Sequence, residues 1–176
     1  MPGRPDFPGG FAEVPRHRAG WGDMRIFSSA RVAVVDTDPG HRTVLCAALT
    51  DFGMSNMLPV TSLEEARELD RQAPLDLCIV NALNFSNGHH DGVPFPANPF
   101  DPARTPAILI ARDTGRETVR AAAAHGYRVV LPGTAAPRIV YRRMGSILQK
   151  VRRAQRVKAP ELQPLSPART AELQQS

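Results

Sequence analysis

The sequence predicts an α/β domain with a parallel sheet covered by helices on both faces. Three observations carry this. Five short apolar runs, at 31–36, 56–60, 75–81, 106–111 and 127–131, have the length of strands. They are near-continuous rather than alternating, as strands buried on both faces are. Segments with apolar residues at three- and four-residue spacing separate most of them, and alternation of this kind implies parallel strands joined by crossover helices.

The first strand, 31–36, carries Val32, Val34 and Val35 and runs into Asp36, Thr37, Asp38 and Pro39. Asp38 suits the N-cap of a helix over 40–52, with Pro39 in the first turn, where a missing N–H does no harm. Val44, Leu45, Ala48, Leu49 and Phe52 form its predicted apolar face, and Gly53 ends it. After the strand 56–60, Ser62 and Glu65 have the spacing of a capping box for a second helix, with Leu63, Ala66 and Leu69 facing inward and Pro74 as the stop.

The third strand, 75–81, ends at Asn81; Asp76, at its other end, is expected to be solvated. Residues 84–104 hold four prolines, two glycines and three asparagines, which predicts an irregular loop where a crossover helix would normally lie. Phe85, Val93, Phe95 and Phe100 in this loop either pack back on the sheet or form a partner surface. The fourth strand, 106–111, leads to a helix with Thr114 and Glu117 as a second capping box, and with Val119 and residues 121–124 as a slim face closed by Gly126. The fifth strand, 127–131, precedes a long helix over 136–156. Its apolar side holds Ile139, Val140, Met144, Ile147, Leu148 and Val151, and Gly145 costs it about 1 kcal/mol of helix propensity.

Composition bounds the function. Of 176 residues 42% are hydrophobic and the mean hydropathy is -0.26, as in a globular protein. No apolar run approaches the roughly 18 residues of a membrane span, and the first residues lack the apolar core of a secretory signal, so a cytoplasmic location is expected. The prolines of residues 1–29 mark an irregular extension, and 158–176 reads as a flexible tail around a domain at 30–157. Cys46 and Cys78 sit inside apolar patterns and read as small buried hydrophobes. The net charge of +5 is uneven: eight Arg or Lys and no acid lie between Arg138 and Lys158. A basic segment of this kind meets an acidic protein, nucleic acid or membrane.

The motifs at the strand ends resemble the receiver domain of bacterial two-component response regulators. Val34-Val35-Asp36-Thr37-Asp38-Pro39 is similar to its first motif, Leu75 to Asn81 to its third, Thr105 to Ala111 to its fourth, and Gly126 to Gly133 to its fifth. The anchors fall 44 residues apart from Thr37 to Asn81, 30 from Asn81 to Ala111 and 22 from Ala111 to Gly133. The resemblance implies a doubly wound, flavodoxin-like five-stranded sheet of order 2-1-3-4-5, with the third crossover helix replaced here by the Pro/Gly-rich loop.

The chemistry that the resemblance implies does not carry over. In that family the first strand ends in an acidic pair that binds Mg²⁺, the third in a phosphorylated Asp, the fourth in Ser or Thr, and the fifth in Lys. Here Asp36 is kept, but Thr37, Asn81, Ala111 and Gly133 occupy the other positions. An amide is no phosphoryl acceptor, and one acid is a poor Mg²⁺ site. The expectation is therefore a non-enzymatic, degenerate receiver without a cofactor. It would act by protein–protein contact in a phosphorelay-type system, with a sensor kinase, a response regulator or a second copy as partner. Val130, Tyr141, Arg142, Arg143, Arg152 and Arg153 are the candidate partner surface, with a homodimer through helix 136–156 as one form. A nucleic-acid-binding regulator using that basic helix is the alternative, although the chain lacks basic–aromatic interleaving. His89, His90 and Asp91 have the side chains of metal ligands, but adjacent histidines rarely converge on one ion, and the three read as solvated loop residues.

Overall fold

The structure is a computed structural model that describes residues 28–85 and 95–158. The five predicted strands form one parallel sheet: β1 (Arg31–Val35), β2 (Asn56–Val60), β3 (Leu77–Asn81), β4 (Ala107–Ala111) and β5 (Tyr127–Pro132), in the order β2-β1-β3-β4-β5. Four helices connect and cover them: α1 (Pro39–Asp51), α2 (Leu63–Gln72), α3 (Arg116–Ala124) and α4 (Pro137–Lys158). The strand order predicted from the motif resemblance is the observed one.

Register brings the strand ends together. Val35 pairs with Val60 on one side and Val80 on the other, and Asn81 pairs with Ile110. The C-terminal ends of β1, β3 and β4 therefore align, and the order reverses between β1 and β3, the place where such sheets present a crevice. The residues of β3 and β4 are buried throughout, as continuous apolar runs require. Two cores lie on opposite faces of the sheet. Val32, Val34, Ile79, Ile108 and Ile110 pack with Leu45 and Leu49 of α1 and Val140, Met144 and Leu148 of α4. Ala33, Val35, Val80 and Leu109 pack with Leu63 and Ala66 of α2 and Ala122 of α3.

Local signals were realised unevenly. Asp38 caps α1 by accepting from the His41 backbone N–H at 2.9 Å. Ser62 caps α2, while Glu65 reaches back to the Thr61 N–H at 2.7 Å. At α3 the expected Thr114 cap does not form. Gly115 is the N-cap without a side-chain bond, and Asp113 instead accepts from the Gly115 N–H and the Thr118 hydroxyl. Asp76 is not simply solvated, because its carboxylate accepts from the Arg31 N–H at 2.8 Å, tying the starts of β1 and β3. The apolar faces are narrower than their spacing suggested. Val44, Phe52 and Val119 are exposed, since Leu45, Leu49 and Ala122 already fill the line of contact with the sheet.

Between β3 and β4, the described residues 82–85 and 95–106 contain no helix. Phe95 and Phe100 are buried in the α2/α3-side core, and Phe95 meets the rings of His125 and Tyr127 edge-on. The Tyr127 hydroxyl donates to the Pro96 carbonyl and Asn98 bonds the Gly126 carbonyl. These residues pack back on the sheet, where a crossover helix would otherwise have covered it. Val93, His89, His90 and Asp91 lie outside the described residues.

Candidate functional site

Asp36 lies at the tip of β1, fully buried, and its carboxylate is satisfied entirely by this chain. Oδ1 accepts from the Asp38 N–H at 2.9 Å. Oδ2 accepts from the Asn81 side-chain amide at 2.6 Å and faces His41 Nδ1 at 2.5 Å. The Arg42 guanidinium donates to the Asp36 carbonyl. A buried charge survives only with partners of this kind.

The donor roles follow from the geometry. Asn81 Oδ1 accepts from the Leu83 N–H at 3.1 Å, which turns the amide nitrogen toward Asp36. A carboxylate only accepts, so His41 Nδ1 carries the proton on its side. Asn81 Nδ2 and His41 Nδ1, 3.0 Å apart, are thus two donors converging on one oxygen.

His41 is the residue that sequence reasoning missed. It stands third in α1, a position that the apolar period passes over, and its partner lies five residues earlier on a strand. It lies in the first turn of a helix that starts at the carboxyl end of an acid-tipped buried strand, a placement with no periodic signature.

The remaining positions are closed by small or apolar groups. Thr37 is exposed and takes no part. Ala111 is buried, and its carbonyl accepts from the Gly133 N–H at 2.9 Å, holding β4 to the end of β5. Beside Gly133 lies Leu83: a Cβ built on Gly133 would come within 2.7 Å of both Leu83 methyl groups. The leucine occupies the path that a longer side chain at 133 would take. A cleft of about 150 Å³ remains alongside, lined by His41, Val44, Leu45, Ile110, Gly133 and Val140 among others.

A divalent ion does not fit this arrangement. Its expected acidic pair is reduced to Asp36, whose Oδ2 is taken by Asn81 Nδ2 and His41 Nδ1 and whose Oδ1 accepts from the Asp38 N–H. Among the described residues no group of three or more His, Cys, Asp or Glu side chains could hold a metal ion.

The candidate partner surface divides. Arg142, Arg143 and Arg153 are exposed and Arg152 is half-buried. Tyr141 is not surface: it is buried, with its ring 5.2 Å from that of Phe52, between α4 and the end of α1. Val130 is half-buried against the α2/α3-side core. The apolar stripe of α4 offered for a homodimer is already used, since Val140, Met144, Ile147 and Leu148 face the sheet and α1. The two cysteines are free, and burial pushes both thiols up, most strongly at Cys78. No described helix is long and apolar enough to cross a membrane.

No protein-family model matches the chain, and no curated protein matches it. Solved structures do. A protein described as pilus assembly-related from Burkholderia pseudomallei superposes with a TM-score of 0.54 at 13% identity, covering 70% of this chain and 92% of that one. An orphan response regulator of H. pylori gives 0.52 at 16%, covering 69% and 98%. A response regulator receiver protein of Burkholderia phymatum gives 0.50 at 18%, covering 68% and 95%. With the five-stranded 2-1-3-4-5 sheet and the aligned strand tips, these likenesses establish that the chain has the fold of a response-regulator receiver domain.

Proposed function

We propose that this chain is a signalling protein of two-component type that works through protein–protein contact and takes no aspartyl phosphate. The observation that carries the reading is the Asn81–Asp36 hydrogen bond of 2.6 Å. The amide stands where the phosphoacceptor carboxylate would be and donates into the one acid that is left, so it supplies neither a nucleophile nor a metal ligand. With Ala111 and Gly133 the site also lacks the hydroxyl and the ammonium that would hold phosphoryl oxygens. Regulation then comes from partner binding and from the amount of protein. The partner is a protein of the same signalling system, and the chain acts in the cytoplasm as a non-enzymatic component.

Incubation with acetyl phosphate and Mg²⁺, followed by intact-mass measurement and hydroxylamine treatment, tests this. The expected outcome is an unchanged mass. A hydroxylamine-labile phosphoryl adduct on Asp36, Asp38 or any other aspartate would overturn the reading.

A further inference from the structure

The long last helix presents two opposite faces. At 100° per residue, Val140, Met144, Ile147 and Val151 fall on one side, packed against the domain. Arg138, Arg142, Arg153 and Arg156 fall within a sector of about 60° on the other side, as two pairs at the ends of a line of about 27 Å, while Arg143 and Lys150 lie about 60–80° off it toward the packed side. All six of these cations are exposed, and among the described residues none forms a salt bridge. No acid occurs between Arg138 and Lys158 to neutralise them. Flanking the stripe on one side, at about 100° from Arg138, Ile139 and Val157 are exposed at 39% and 87%, one near each end.

From this we infer that the outer face of α4 is a docking surface for an acidic, amphipathic protein segment. The inference rests on the proposed contact-based function. Guanidinium groups pair with carboxylates through two parallel hydrogen bonds, and a row of them selects a partner whose acids recur at helical spacing. Ile139 and Val157 supply apolar anchors at the two ends, the desolvated contacts on which protein interfaces rely and for which a phosphate backbone has no use. Tyr141 is the helix's one aromatic and it is buried, so the face offers no ring on which a base could stack. A second copy docking by the same stripe would set cation against cation.

The test uses the full chain and a fluorescent 21-residue helix-forming peptide carrying Glu at every fourth position with Leu flanking, read by anisotropy at low salt. A peptide of the same composition in scrambled order, and a duplex DNA of 20 base pairs, are the comparisons. The patterned peptide is expected to bind at least about tenfold more tightly than either. Arg142→Glu with Arg153→Glu should weaken it by about tenfold or more, and the Gln pair by less, with the circular dichroism spectrum unchanged. Equal binding of the scrambled peptide, tighter binding of the DNA, or indifference to the charge reversal would each overturn the inference. Acetyl phosphate treatment of the same sample separates the two readings. An aspartyl adduct would sink the phosphate-independent function, whereas loss of patterned-peptide binding without an adduct would sink the docking surface alone.

Discussion

Asn81 and Asp36, 45 residues apart, join the tips of β3 and β1 through a single amide-to-carboxylate hydrogen bond. The bond satisfies one oxygen of the buried carboxylate from within the chain. Asn81→Asp would face two buried carboxylates across the same 2.6 Å. We expect a loss of about 2–4 kcal/mol at neutral pH, since a satisfied buried charge becomes an opposed pair. Denaturant titration measures it, and millimolar Mg²⁺ should recover part of the loss in the variant while leaving the parent chain unaffected. An unchanged midpoint would show that the amide is not holding the site.

Leu83 and Gly133 form the second coupled pair. Gly133→Ala places a methyl group 2.7 Å from the leucine's methyls, so it should destabilise by about 1–3 kcal/mol as an overpacked contact. In the background of Leu83→Ala the same substitution should cost little. A double-mutant cycle reads the coupling, and additive effects would show that the leucine gives way freely.

Phe95 anchors the returning arm of the β3–β4 connection. Phe95→Ala removes a ring that is 1% exposed and touches Tyr127 and His125, and should cost about 3–5 kcal/mol. Thermal unfolding checks this. A cost near zero would mean that the segment contributes little to the α2/α3-side core.

Acid should loosen two helix starts. The Thr61 backbone N–H holds Glu65 below its ordinary 4.5, and the Thr118 hydroxyl holds Asp113 below its ordinary 3.8. For such depressed groups the native state binds fewer protons than the unfolded chain. Their stabilisation is present above the ordinary values and is lost as pH falls through the folded ones. Stability should therefore decline from about pH 5 downward, and Glu65→Gln with Asp113→Asn should flatten that decline. Urea midpoints against pH give the comparison.

Much of this molecule is legible from side-chain pattern alone, because the strands β3 and β4 are buried on both faces and show it as unbroken apolar runs. The positions Thr37, Asn81, Ala111 and Gly133 could be placed at the strand ends from motif spacing. What packs around them could not. His41 reaches Asp36 by the chance geometry of a helix's first turn, and Leu83 reaches Gly133 across two loops. Neither relation has a period or a sequence separation that marks it. The exposure of Val44 and the burial of Tyr141 depend on how α1 and α4 lean on each other, which is set by packing volume and not by spacing.

Leu83 over Gly133 also limits how the sequence can vary. A longer side chain at 133 meets the leucine already in its path, and a carboxylate at 81 would meet the buried Asp36 across 2.6 Å. Each position is held by one neighbour, so 83 with 133 and 36 with 81 can change only as pairs.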